Sequence, residues 1–147
     1  MKSKWLPVGL AALFLCPAGA AEITLDHTRD LAFGAFVSST GTVTIAPSGT
    51  RTTTGVIALS NDPGNSAQLS VTGDEGATFA ISLPADGMVF LDNGSSNMPV
   101  NRFTSSPFPI GTVSGTQVIS VGATLDVVAG QSTGSYSGNF TVTIEYN

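Results

Sequence analysis

Two short patterns contain residue types that could carry out catalysis. Residues 130–134, GQSTG, match G-x-S-x-G, the turn that presents the nucleophilic serine of many hydrolases. That chemistry needs a strand before the serine, a helix after it, and an acid and a histidine further along the chain. Here both flanking segments alternate as strands do, and the single histidine, His27, lies upstream. The pattern therefore predicts a Gly- and Ser-rich hairpin, with hydrolysis by Ser132 as an alternative.

His27 lies between Asp26 and Asp30, so a carboxylate-oriented base or a metal ligand is conceivable there. One imidazole, with no second histidine and no cysteine beyond residue 16, is a poor transition-metal site. Acidic residues in three later turns do not follow the ligand spacing of a known calcium loop. The sequence therefore predicts a protein that is not an enzyme and has no metal or cofactor.

The first twenty residues have the order of a secretory signal. Two lysines precede an apolar run at residues 6–15, which ends in the small-residue stretch 16–21. The run is too short to span a bilayer of roughly 30 Å as a permanent helix. We therefore expect cleavage after Ala20, leaving a single domain at residues 21–147. A lipoprotein signal at Cys16 is the alternative, although the residue before it is a leucine rather than a small residue.

Removal of this leader segment (residues 1–20) changes the charge and the redox chemistry of the chain. Both lysines and the single cysteine leave with it, so three arginines remain against ten acidic residues, a formal net charge of −7. No disulfide can form within residues 21–147, and phosphate neutralisation by basic residues is not available. We expect an exported protein of the periplasm, cell surface or medium that binds no nucleic acid and has no membrane span.

Apolar residues after the leader segment recur with a period of two, which is typical of half-buried strands. The rows are clearest at residues 68–72, 78–83, 118–127 and 136–146, and further strands are expected at 31–37, 42–46, 56–60, 88–91 and 98–103. Turn signals rich in Gly, Pro, Asn and Asp separate them. Eight or nine such strands predict an all-β, antiparallel, immunoglobulin-like sandwich, with a jelly roll or barrel as the alternative.

The last predicted strand carries a distinctive row of residues. Its apolar face contains Tyr136, Phe140, Val142, Ile144 and Tyr146, and Gly134 precedes it as the fourteenth residue from the end. This arrangement resembles the C-terminal motif of pilin subunits that are assembled by the chaperone-usher pathway.

The pilin resemblance implies a sandwich that lacks one strand, with a groove beside its last strand. A strand of a periplasmic chaperone, and then the N-terminal arm of the next subunit, would fill that groove. The implied partners are like subunits, the chaperone and an outer-membrane usher. Ile23 and Leu25 are the candidate inserts of a donor arm, although the arm is short and the disulfide common in such subunits cannot form. Alternatively, both residues belong to the subunit's own first strand, and the protein is a complete monomer.

Over nearly all of residues 21–147, the chain also resembles the domain of unknown function 4402 family. The resemblance is carried by residues 31–34 (LAFG), 121–125 (VGATL) and 134–146 (GSYSGNFTVTIEY). It implies an exported β domain without an assigned activity. The leading hypothesis is thus a pilin-like structural subunit of a surface fibre. The second is a self-contained periplasmic or surface binding module that contacts its ligand through loops 92–97 or 102–109.

Overall fold

The computed structural model describes residues 2–3, 8–12, 23–37 and 39–146. The expected cleavage position after Ala20 and the alternative lipid-attachment residue Cys16 lie outside these ranges, as does Ala21. The described strands are β1 (Lys2–Ser3), β2 (Val8–Ala12), β3 (Thr24–Arg29), β4 (Phe36–Val37), β5 (Gly41–Ile45), β6 (Arg51–Thr54), β7 (Ile57–Ala58), β8 (Ala67–Thr72), β9 (Thr78–Ser82), β10 (Val89–Asp92), β11 (Asn97–Ser106), β12 (Ile110–Thr112), β13 (Gln117–Val127), β14 (Ser135–Tyr136) and β15 (Phe140–Tyr146). No helix long and apolar enough to cross a membrane occurs in the described ranges.

Two sheets contain most of these strands. The larger has the order β10-β11-β13-β5-β6, and the smaller has the order β12-β9-β15-β2. The first half of β13 pairs with β8, which pairs with β3 on its other edge, whereas the second half pairs with β5. Every strand pair within the domain is antiparallel; β1 and β2 pair with β14 and β15 in parallel. The predicted all-β, antiparallel sandwich is confirmed.

The period of two places one face of each main strand in the core. In β13, Ile119, Val121 and Leu125 are buried, while Ser120 and Asp126 on the other face are partly exposed. The same alternation occurs in β8, β9 and β15. Burying a whole aliphatic or aromatic side chain contributes about 1.5 to 3 kcal/mol. The single core cluster therefore stabilises the domain in the absence of any disulfide among residues 21–147.

Gly122 explains how β5 and β8 can share one edge of β13. A Cβ atom at this position would lie 2.0 Å from the carbonyl oxygen of Ile45, where the chain leaves β5. Real side chains do not approach a backbone so closely, so this crossing requires glycine. The VGATL segment at residues 121–125 thus carries a structural constraint of the larger sheet.

Three local details differ from the predicted strands. β6 and β12 were not predicted, because neither has an alternating apolar row; the sequence of β6 is RTTT, and this strand lies at the outer edge of the larger sheet. The predicted strand at residues 31–37 is reduced to β4 and isolated bridges such as Ala32 with Asn65. The predicted strand at 136–146 is interrupted at residues 137–139, because Ser137 bridges to Asp92 instead.

Arg51 connects the irregular segments on both sides of β4 and β7. Its Nη1 donates to the carbonyl oxygens of Phe33, Ala35 and Asp62 at 3.2, 3.1 and 2.9 Å, and its Nη2 donates to that of Leu59 at 2.8 Å. These carbonyls belong to loops whose backbone polar groups need partners when water is excluded. The planar guanidinium therefore acts as the cross-link between residues 33–35 and 59–62.

Arg51→Lys tests this assignment. An ammonium cannot reproduce the forked geometry of the guanidinium, so we expect the free energy of unfolding to fall by about 2 to 4 kcal/mol. Urea unfolding followed by circular dichroism measures this change. Arg102→Lys is the matched control, because the Arg102 side chain is 60% exposed and makes only a 3.5 Å ion pair with Asp126; it should cost no more than about 0.5 kcal/mol. Equal effects of the two substitutions would contradict the assignment.

Candidate functional site

The last strand, β15, is the candidate site because it contributes to the core and is paired along both edges. Phe140, Val142 and Ile144 are buried, and the Phe140 ring lies 5.0 Å from that of Phe103 on β11 of the larger sheet. One edge of β15 pairs with β9 in antiparallel fashion over its last four residues, 143–146. Over these four residues, the domain itself closes this edge.

The opposite edge of β15 is paired with the leader segment. Residues 8–12, which form β2, run parallel to residues 140–144 in unbroken register. β1 pairs in the same direction with β14, with Lys2 opposite Ser135 and Ser3 opposite Tyr136. Among the strands of residues 23–146, none pairs with this edge. The partner of the C-terminal motif therefore comes from the segment that we expect export to remove.

The leader segment also lies beside the first strand of the domain. β2 runs close to β3, which pairs with β8 along one edge only. β3 belongs to the larger sheet and β15 to the smaller sheet, so β2 occupies the seam between two sheet edges. A strand in this position can complete the sandwich on that side, since the described domain strands leave both edges available to it.

Ile23 and Leu25, the candidate donor inserts, lie in the core of their own subunit. Ile23 is fully buried, and only 3% of Leu25 is exposed. Leu25 lies opposite Val71 in the β3–β8 pair. Of the two alternatives that the sequence leaves open for this segment, the structure therefore contains the subunit's own first strand over residues 24–29.

The two tyrosines of the C-terminal motif fix the ends of the β14–β15 segment. Tyr136 is fully buried, and its hydroxyl donates to the carbonyl oxygen of Ser132 at 2.7 Å. The Tyr146 hydroxyl accepts a hydrogen bond from the N–H of Asp74 at 3.2 Å. Gly134, with φ of +136°, supplies the turn before β14 in a region of backbone space that favours glycine. These residues position the strand, whereas Phe140, Val142 and Ile144 form the row along it.

Ser132 lies in a structural network. Its Oγ accepts from the side-chain amide of Asn93 at 3.0 Å, donates to Ser96 Oγ at 3.0 Å and lies 3.1 Å from the Tyr136 hydroxyl. None of these partners is a general base, and strands lie on both sides of the G-x-S-x-G match. The network joins the loop after β10 to the loop after β13.

His27 contacts one of its two neighbouring carboxylates. Its Nε2 atom lies 2.6 Å from Oδ1 of Asp30. No group of three or more His, Cys, Asp or Glu side chains that could hold a metal occurs in the described part of the chain. The contact is thus a local pair at the end of β3, and the structure brings Asp30 rather than a set of ligands to the imidazole.

A recess that sequence patterns did not indicate lies beside the start of β15. It has a volume of about 430 Å³ and is lined by residues that include Leu83, Met88 and Phe140. It forms because β9 ends at Ser82, so residues 140–142 continue beyond it without an antiparallel neighbour. No short motif marks such a feature, since it depends on where two distant strands end.

One family model matches most of this chain. The model described as domain of unknown function 4402 matches residues 23–146. The chain belongs to the domain of unknown function 4402 family. The match covers β3 to β15 and none of β1 or β2, so the family domain coincides with the sandwich without the leader segment. No curated protein and no solved structure matches the chain.

The residues that carry the resemblance to the domain of unknown function 4402 family build the fold. Leu31 and Phe33 are fully buried, and the backbone of Ala32 exchanges two hydrogen bonds with that of Asn65, at 2.9 and 2.8 Å. Gly122 permits the close approach of Ile45 described above. The residues that carry the family resemblance therefore have structural roles in this chain, while the edge of β15 remains the feature that points to a function.

Tyr136→Phe tests whether the network around Ser132 stabilises the fold. Loss of the buried hydroxyl leaves the Ser132 carbonyl without its donor, so the free energy of unfolding should fall by about 1 to 2 kcal/mol. Ser132→Ala keeps that carbonyl and should cost less, under about 1 kcal/mol. Urea unfolding of both variants measures the difference. A serine nucleophile predicts instead that wild-type protein hydrolyses an ester such as p-nitrophenyl acetate and that Ser132→Ala does not.

Proposed function

We propose that this protein is a non-enzymatic structural subunit, exported and incorporated into a surface fibre or related extracellular assembly through the edge of β15. The observation that supports this proposal is the parallel pairing of β15 with residues 8–12. Within residues 23–146, no other strand pairs with that edge. Once the leader segment is removed, the edge needs a partner from another polypeptide.

The physical argument concerns the unpaired backbone of an edge strand. An incoming strand forms main-chain hydrogen bonds, each with a net contribution of about 0.5 to 1.5 kcal/mol, and covers apolar side chains next to the edge. The row Phe140, Val142 and Ile144 lies along this edge. An exposed edge next to apolar side chains also promotes association between identical chains. The main-chain hydrogen bonds and the burial of apolar side chains both favour pairing with a strand from a partner.

The proposed partners follow from the pilin resemblance: like or related subunits, a periplasmic chaperone and an outer-membrane usher. For Ile23 and Leu25 to serve as the donor, β3 would have to leave β8, with which it pairs from Thr24 to Arg29. That separation exposes two buried side chains and leaves a second edge open, at a cost of about 1.5 to 3 kcal/mol per side chain. We therefore assign this chain the role of strand acceptor, and a donor segment to its partner.

The recess beside Phe140 supports a second function, that of a self-contained binding module. Its apolar lining and volume of about 430 Å³ suit a small apolar group. In this alternative the domain remains monomeric after export. The loop at residues 92–97, one of the two ligand sites expected from the sequence besides residues 102–109, hydrogen-bonds through Asn93 to Ser132 in the loop after β13.

The association state of the processed chain, residues 21–147, separates the two functions. We expect concentration-dependent oligomers in sedimentation velocity, because the open β15 edges of identical chains pair with one another when no donor segment is present. Thr141→Glu places a negative charge beside this edge at an exposed position, so paired copies repel each other, and it should reduce association at least about threefold. Thr52→Glu, at an exposed position of edge strand β6, is the matched control with the same net charge and should associate as the wild type does.

Circular dichroism of each variant confirms that the fold persists before association is compared. A processed chain that stays monomeric at every concentration and unfolds reversibly in one step would overturn the assembly function in favour of the binding module.

A further inference from the structure

We infer that the leader segment is also an internal partner strand, which occupies the assembly edge of the precursor and vacates it on cleavage. The geometry behind this inference is the seam between β3 and β15. Residues 8–12 pair with β15 over five consecutive positions, and the same segment runs close to β3. The leader segment therefore closes the precursor's sandwich at the site where the proposed partner strand binds.

Residues 2–3 and 8–12 of the leader segment pair with the C-terminal motif in nearly the same register. The offset between paired residues is 133 at Lys2 and Ser135, and 132 at Val8 and Phe140. The two short pairings thus share one direction and nearly the same offset, along residues 135–136 and 140–144. An isolated bridge would not give two separate pairings with the same direction and nearly the same offset.

A connection of ten residues tethers β2 to the domain. Ten residues separate Ala12 from Ile23, and an extended chain of that length spans at most about 33 to 36 Å. Because the segment is tethered, it competes for the edge at an effective concentration that is commonly in the millimolar range for short linkers. A separate strand must exceed this concentration or bind more tightly.

Cleavage removes that advantage. Peptidase-catalysed hydrolysis adds one water across the peptide bond after Ala20, which gives a carboxylate on the leader and an amine on Ala21, with no change of oxidation state. The leader then becomes a separate peptide that dissociates and dilutes. This inference rests on the proposed function only for the identity of what replaces the leader at the edge.

Site-specific cross-linking of the full chain tests the inference. Ala11 and Thr143 lie opposite each other, and neighbouring strands place such Cα atoms within the 4.4 to 6.8 Å that a disulfide requires. In a Cys16→Ser background that retains the leader, we expect mild oxidation to link Ala11→Cys to Thr143→Cys within one chain. The matched control pairs Ala11→Cys with Thr52→Cys on β6, and it should react at least about ten times more slowly.

A second pair of cysteine substitutions keeps the test valid if the first double variant does not fold. Gly9 lies opposite Thr141 in the same register, so Gly9→Cys with Thr141→Cys should cross-link as the first pair does. Non-reducing electrophoresis separates intramolecular from intermolecular products, and mass spectrometry identifies the linked peptides. Equal rates for the β15 and β6 pairs, or links only between chains, would overturn the leader's role as a partner strand.

The outcomes separate this inference from the proposed function. If the cross-link fails but the processed chain still associates through β15, the inference is wrong and the assembly function stands. If the cross-link forms but the processed chain is monomeric, the leader does occupy the edge and the assembly function is wrong.

Discussion

The pairing requirement of one sheet edge governs the rest of this structure. Backbone N–H and C=O groups that are withdrawn from water need hydrogen-bond partners, and an edge strand lacks them along one side. β15 is such a strand within residues 23–146, because the smaller sheet there consists only of β12, β9 and β15. It also contributes Phe140, Val142 and Ile144 to the core. β15 therefore both contributes to the core and has one edge that no strand of residues 23–146 pairs with.

The remainder of the domain fixes this strand in place without covalent cross-links. Tyr136 and Tyr146 hold the two ends of the β14–β15 segment through hydroxyl contacts with distant loops. Elsewhere in the domain, Arg51 donates hydrogen bonds to two segments that have little regular secondary structure. Such contacts replace the role that a disulfide has in many small exported domains. The scaffold can thus remain folded while one edge changes its partner.

The sequence predicted those parts of the fold that depend on local periodicity. The alternating apolar rows were sufficient to predict β8, β9, β13 and β15, because each of these strands buries one face. β6 was missed because its RTTT sequence has no apolar row, and the interruption at residues 137–139 was missed because it depends on a bridge to Asp92. The candidate row Phe140, Val142 and Ile144 was predicted correctly as one buried face. The pairing of this strand with residues 8–12 could not be predicted from the sequence. Register between segments more than 130 residues apart is a property of the folded chain.

Hydrogen–deuterium exchange along β15 tests the central claim most directly. The full chain and the processed chain (residues 21–147) are compared at a concentration at which the processed chain is monomeric, with β13 amides as the internal reference. Removal of the leader should accelerate exchange in residues 140–144 about tenfold or more while β13 stays protected, because β15 loses a hydrogen-bonded neighbour and β13 does not. Unchanged protection of residues 140–144 in the monomeric processed chain would show that the domain closes this edge by itself, and would contradict the account.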